Sequence, residues 1–410
     1  MFGTPVYLYD CSEVRSAHAG LRRALPGASV LYYSLKANPH PDLAAVLARL
    51  GCRVEVSSVG EIETALRAGF AASDVLMTGP GKTCPDIGYA LRCGVRRFSV
   101  DSPGDLERVG TLAREHGCEV ECLLRVNAGQ PVAGLGLTMT GTASQFGADA
   151  SWVLAEPERF RAAHGARATG LHLYMGTNIE EPSVLAAALS ASIELAGRLS
   201  PVLGSNLREV DLGGGFGLPY ARRGRRPDYA GLAAELEPAL DANLPGWRHA
   251  EPLVSFESGR YLVGGCGTLV CRVIDVKRSK GRTFIILDSG VHHLGGMSGL
   301  RRLPRVVPEL VADGNSAGPL MHDCVVTGPL CTPLDTWSDG VDLPRLRPGD
   351  VVAVPNVGAY GLTASLIAFL GHPAAVEVTL DGDQVISASR VALERVPVAL
   401  VQQAPAVNER

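Results

Sequence analysis

From about residue 30 to residue 260, short apolar runs alternate with amphipathic stretches, and beyond that point they do not. Runs such as Val30-Leu31-Tyr32-Tyr33-Ser34-Leu35, Arg53-Val54-Glu55-Val56-Ser57, Val75-Leu76-Met77-Thr78, Arg97-Phe98-Ser99-Val100 and Val120-Glu121-Cys122-Leu123-Leu124 read as strands. Helical patterns over 42–50, 61–68, 85–91 and 105–115 separate them. After a Gly- and Thr-rich passage come Gly170-Leu171-His172-Leu173-Tyr174, 207–212 and Leu253-Val254-Ser255-Phe256. A doubly wound sheet fits such alternation, but eight strand units over this length fit a (β/α)₈, TIM-like barrel better. Strands with few helices between them follow, at 268–276, 283–288, 324–327, 351–355 and 376–380. They predict a C-terminal β domain, completed by the N-terminal strand Val6-Tyr7-Leu8-Tyr9. The predicted division is 28–264 for the barrel, with 1–27 and 265–410 forming the β domain.

Composition narrows the function classes. Of 410 residues, 46% are hydrophobic and 20% charged, so a sizeable core is expected and disorder is not. The net charge of −4 gives no polyanion partner a reason to bind, and the only basic run is Arg222, Arg223, Arg225 and Arg226. No nucleic-acid partner is expected. The first residues show neither a secretory signal nor a membrane span, and the 10 cysteines form no C-x-x-C pair. A cytoplasmic protein with reduced thiols is the expectation, with no membrane association and no metal site. Cys118 and Cys122 read as buried thiols, and His292, His293 and His372 as structural or near the substrate.

The predicted strand ends carry Lys36, Arg125, the Gly213-Gly214-Gly215 run and Glu257. In a barrel these converge on the mouth formed by the strand C-termini, where barrel enzymes keep their chemistry. A lysine after a buried run has a lowered pKa and forms an imine with an aldehyde cofactor, or else it snorkels to water. Consecutive glycines after a strand let backbone N–H groups close round a phosphate, or make only a tight turn. Their spacing matches neither a Walker loop nor the dinucleotide pattern. The Glu257-Ser258-Gly259-Arg260 segment offers a carboxylate for a protonated ring nitrogen and a cation for an anion, or an internal pair. Cys331, in Gly328-Pro329-Leu330-Cys331-Thr332-Pro333, is a candidate proton donor or an inert buried thiol.

Together, in this order from Thr4-Pro5-Val6-Tyr7 to Gly358-Ala359-Tyr360-Gly361, these motifs resemble the fold type III pyridoxal phosphate decarboxylases. That is the family of diaminopimelate and ornithine decarboxylases. The resemblance implies pyridoxal 5'-phosphate as cofactor and decarboxylation of an α-carboxylate. Lys36 matches the lysine of the internal aldimine, and Glu257 the carboxylate on the pyridine nitrogen. Thr177, Gly214, Gly215, Arg260 and Tyr360 match positions round the phosphate, while Glu55, Glu61 and Arg125 match positions that support the cofactor. Cys331 matches the cysteine that a partner subunit contributes to protonate the carbon after carbon dioxide leaves, so a homodimer with shared active sites is implied.

The departures are informative. The family's Gly-Leu-His-x-His pattern has a ring-stacking histidine where this chain has Tyr174. The acid that follows the cysteine in the family is Thr332 here, and a second distal acid of the ornithine enzymes aligns with Ser289. A distal ammonium would lack both counter-charges, so lysine, ornithine and diaminopimelate are disfavoured. The 79–82, 328–333 and 369–373 stretches resemble decarboxylases of specialised biosynthesis, including one acting on a carrier-protein glutamyl thioester in butirosin assembly and relatives associated with exosortases. Two other readings are a racemase or lyase on the same fold, and a regulatory homologue without activity. The retained Lys36, Glu257 and Cys331 argue against the second, and the motif around Cys331 against the first. Arg301, Arg302 and Arg305 are candidates for gripping a substrate carboxylate, or a solvated basic loop.

Overall fold

The structure is a computed structural model that describes residues 2–128, 137–138, 144–203, 207–295, 307–312 and 320–397. Arg301, Arg302, Arg305 and the tail from residue 402 lie outside them.

Eight parallel strands close on themselves. In chain order they are Ser29–Ser34, Arg53–Val56, Val75–Met77, Arg97–Val100, Val120–Asn127, Ala166–Leu173, Glu209–Asp211 and Leu253–Ser258. Each pairs with the next, and the eighth returns to the first through Val254 opposite Ser29 and Ser258 opposite Tyr33. Both faces of such strands are covered, which is why they read as near-continuous apolar runs. Inside the ring Tyr32, Leu76 and Leu123 form one small cluster, separate from the larger core between strands and helices. Glu209 fills the interior beside them, accepting hydrogen bonds from Tyr32 (3.1 Å) and Ser255 (2.8 Å) and pairing with Arg97. This buried acid is compatible with the barrel because each partner is a donor.

Side-chain caps start the helices that follow the first four strands. His40 caps Pro41–Arg49, Ser58 caps Val59–Arg67 and Ser102 caps Pro103–Glu115. Thr83 and Asp86 form a reciprocal capping box on Cys84–Arg92. Each cap fixes where the loop at the barrel mouth ends, and so where the side chains on that loop point.

The second sheet is mixed. Its path runs from Thr336–Leu343 through Met321–Thr327, Arg282–Leu287 and Gly267–Ser279 to Val6–Asp10, then Val376–Asp381 and Gln384–Arg390. The N-terminal strand sits inside it, antiparallel to Gly267–Ser279 and parallel to Val376–Asp381. Hydrogen bonds tie this domain to the mouth of the barrel. Asn38 Nδ2 donates to Gly358 O (2.7 Å), Tyr360 N to Ala37 O (2.7 Å) and Tyr220 Oη to Tyr360 O (2.9 Å). The barrel lysine and the second-domain Tyr360 are thereby held on one frame.

Candidate active site

The first barrel strand ends at Ser34, and one 3-10 turn, Leu35–Ala37, carries Lys36 out over the mouth. Its Nζ lies 2.9 Å from both carboxylate oxygens of Glu55, at the end of the second strand. Thr78 donates to the same carboxylate at 2.6 Å. Burial opposes the lysine's charge, but Glu55 and then Glu257 outweigh it, so the Lys36 pKa is raised. The expectation of a lowered lysine pKa is therefore corrected: burial works in that direction and a carboxylate at hydrogen-bond distance overrides it. The same attraction, with bonds from Thr78 and Ser34, holds Glu55 below the usual carboxylate range despite its burial.

Facing this pair, a cleft is lined by Lys36, Tyr174, Thr177, Gly214, Gly215, Glu257, Arg260 and Tyr360, among others. The glycines belong there for steric reasons. Gly215 has φ +110°, which side chains with a Cβ rarely adopt. A Cβ on Gly214 would come within 2.6 Å of the Glu257 carbonyl oxygen. The seventh and eighth strands can approach this closely only because that atom is missing. Arg260 is sandwiched, its guanidinium 4.8 Å from the Tyr360 ring centre and 5.0 Å from that of Tyr220. Its Nε is buried with no hydrogen-bond partner.

Arg125 lies inside the fifth strand, which runs on to Asn127, rather than at its end. It is buried, and its guanidinium stacks 4.6 Å from the Phe146 ring and 5.9 Å from that of Tyr174. The tyrosine standing in place of a ring-stacking histidine is thus backed by a cation. Glu61 accepts from Ser57 N at 2.6 Å, and burial, with Glu55 nearby, raises its carboxyl to about 7.

Cys331 is exposed and does not line this cleft, so neither a buried thiol nor a donor within the same chain describes it. Its loop is organised by Asp335, which accepts Leu330 N and Val291 N at 2.8 Å each. Ser289 is fully buried beside His293 at 3.2 Å. Cys122 is buried, whereas Cys118 is only partly so. The histidines cluster with tilted rings, His292 lying 3.8 Å from His293 and 5.3 Å from His372 between ring centres. One grouping was not foreseen from the sequence, although Glu257 itself was. His172, Asp211 and Glu257 meet beneath the cleft, with a ligand atom of each within 4.8 Å of the others. They come from three separate strands, and the sole clue was a histidine among buried residues near a strand end.

The arrangement fits an aldehyde-bearing, phosphorylated ring. There is an amine for the aldehyde and a glycine-walled turn with an unpaired arginine for the phosphate. There is also a buried carboxylate that accepts no hydrogen bond among the described residues. A buried anion requires a donor, and a protonated ring nitrogen is one.

Barrel and cleft together define an enzyme of the pyridoxal phosphate class. The chain belongs to the pyridoxal-dependent decarboxylase family, whose pyridoxal binding domain matches residues 11–264. Pyridoxal 5'-phosphate is its cofactor. Among its relatives, L-glutamyl-[BtrI acyl-carrier protein] decarboxylase of Niallia circulans is 31% identical, covering 92% of this chain and 89% of the relative. Diaminopimelate decarboxylase of Pseudomonas aeruginosa is also 31% identical, over 93% and 89%. Among solved structures, diaminopimelate decarboxylase of Helicobacter pylori complexed with L-lysine superposes with a TM-score of 0.81 at 26% identity, covering 95% of each chain. Lysine decarboxylase of Selenomonas ruminantium gives 0.78 at 26% identity over 93% of each.

Proposed function

We propose that this chain removes the α-carboxylate, as carbon dioxide, from an amino acid or amino-acyl intermediate of a specialised biosynthetic pathway, one whose distal end carries no positive charge. The observation that carries the last clause is that both positions matching the family's distal acids hold uncharged residues. Thr332 follows Cys331, and Ser289 is buried against a histidine. The one acid of that loop, Asp335, already accepts two backbone N–H groups and is no free counter-charge. A thioester or amide would suit such a surface, and the similarity to a carrier-protein glutamyl decarboxylase agrees with it.

The bound cofactor supplies the electron sink for the pair left when the Cα–carboxylate bond breaks. The chain's own residues do the rest. Lys36 presents the amine for the aldehyde carbon, and Glu55 takes its ammonium when it is free. Thr177, Gly214, Gly215, Arg260 and Tyr360 hold the phosphate, and Glu257 the ring nitrogen. Tyr174, backed by Arg125, would cover the ring, and Glu61 would help support the cofactor. Cys331 from a second copy of the chain delivers the proton to Cα. The unit is therefore a homodimer, working in the cytoplasm, with residues 28–264 as the cofactor domain and 1–27 with 265–410 as the second. Among the described residues no helix is long and apolar enough to cross a membrane.

The test is mass spectrometry of a substrate panel incubated with enzyme and pyridoxal phosphate. The panel holds lysine, ornithine, diaminopimelate and glutamate beside glutamyl and related thioesters on a carrier protein. Loss of carbon dioxide only from tethered or distally neutral substrates is expected. Efficient turnover of a dibasic amino acid would overturn the distal-charge argument while leaving the chemistry in place.

A further inference from the structure

His172 takes no part in the mechanism above, yet it is 2% exposed and lies directly beneath the cleft. Its ring bridges the barrel. On one side Nδ1 is 2.7 Å from Ser99 Oγ, on the fourth strand. On the other, Nε2 is 3.3 Å from Glu257 Oε1, on the eighth. Ser99 is itself fully buried. With the serine hydroxyl donating to Nδ1, the ring hydrogen is left on Nε2, facing the carboxylate.

Both Nε2 of His172 and Oε1 of Glu257 are buried and without a hydrogen-bond partner as they stand. Polar atoms in that condition are costly, and a small rotation of either side chain joins these two to each other. The third member of the cluster, Asp211, accepts Gly213 N at 2.8 Å. Burial and the neighbouring Glu257 push the Asp211 carboxyl well up. One of its oxygens is already taken by that backbone N–H. The imidazole is left to grip one oxygen of Glu257 and so set the direction of the other.

We propose that His172 is a positioning residue for Glu257: braced by Ser99, it holds Oε1 so that the second carboxylate oxygen is aimed into the cleft. This rests on the reading that Glu257 meets the ring nitrogen of the cofactor. The histidine acts through Glu257, and so belongs to the control of the cofactor's protonation rather than to substrate contact.

Three variants test it: His172→Leu, which removes both contacts, His172→Gln, whose amide can still donate toward Glu257, and Ser99→Ala. For each, kcat, KM, the visible absorption of bound pyridoxal phosphate and the melting temperature of the cofactor-free protein are measured. In His172→Leu, kcat falls about tenfold or more, KM stays within about twofold and the absorption band of the bound cofactor shifts. His172→Gln regains most of the rate and the wild-type band, and Ser99→Ala falls between, all at an unchanged melting temperature. A wild-type spectrum and kcat in His172→Leu would overturn the proposal. So would equal impairment of the Leu and Gln variants, which a purely structural role gives. Should the leucine variant not fold, an unaltered band in Ser99→Ala overturns it instead. Failure of the wild-type protein to bind pyridoxal phosphate would sink the functional reading, a separate result.

Discussion

Lys36 and Glu55 share two contacts of 2.9 Å, and that clamp controls how the amine reacts. Because the carboxylate raises the lysine pKa against the effect of burial, removing it leaves burial opposed only by the weaker pull of Glu257 and Tyr360. In Glu55→Gln the free-amine fraction of Lys36 rises at least about tenfold at pH 8, tenfold being the effect of one pKa unit. Reductive methylation of the cofactor-free protein, followed at Lys36 by mass spectrometry, reads this directly. An unchanged or slower rate would show that Glu55 does not govern the amine. Glu61 carries a consequence for stability. Its carboxyl is raised from 4.5 to about 7, so the folded chain retains a proton that the unfolded chain has lost. Stability from this group is therefore present below pH 4.5 and falls as pH rises toward 7. Glu61→Gln should match the wild type in urea unfolding at pH 4 and exceed it by about 1–3 kcal/mol at pH 8.

Elements were legible where burial repeats along them. All eight barrel strands stand where apolar runs place them, because parallel strands covered on both faces leave little room for polar residues. The strands Thr336–Leu343 and Gln384–Arg390 received no prediction. They lie at the two ends of the second sheet's path; Gln384–Arg390 is largely exposed, and Thr336–Leu343 mixes buried and exposed residues without the alternation that marks a half-buried strand. The helices Cys11–Ala24 and Pro182–Leu203 also went unmarked. The second is apolar round most of its surface and shows no clear stripe, whereas the first buries one face, through Cys11, Val14, Ala17, Leu21 and Ala24, built largely of small residues. The site was legible in its linear motifs, since Lys36, the glycine run and Glu257 each follow a strand. The Ser99–His172–Glu257 contact was not, because nothing local records which strands face each other across a barrel. The Cys331 loop is another element made by contact at a distance. Asp335 draws Leu330 and the Val291 turn together, and Gly290 and Gly328 leave room for its carboxylate, which would meet a Cβ at 2.1 and 2.3 Å. Asp335→Ala should cost the loop about 2–4 kcal/mol in lost charge-assisted bonds. Amide exchange at Leu330 and Val291 should then rise more than tenfold. Exchange that stays at the wild-type rate would assign the loop's order to its prolines.

At the scale of the whole molecule, the proposed proton donor Cys331 is exposed and does not line its own cleft, so on that proposal one chain is an incomplete catalyst. Mixing inactive Lys36→Ala with inactive Cys331→Ala chains should restore activity, because half of a random dimer population has one intact site. About a quarter of wild-type turnover is expected, with the mixed species resolved by a tag on one variant. No recovery, with mixed dimers demonstrably present, would place the proton donor elsewhere.

The N-terminal strand has a consequence in time. Val6 pairs with Val376, so an interior strand of the second sheet leaves the ribosome 370 residues before one of its two neighbours. At about 5–20 residues per second that interval is on the order of 20–70 seconds. For most of it, while the barrel strands are made and until Gly267–Ser279 emerges, the first strand has no edge to join. Nascent chains are thus born with an unsatisfied strand at the front, exposed to any other edge nearby. A chaperone that masks the first ten residues would protect the whole enzyme, and a deletion there would remove an inner strand of the sheet, not a tail.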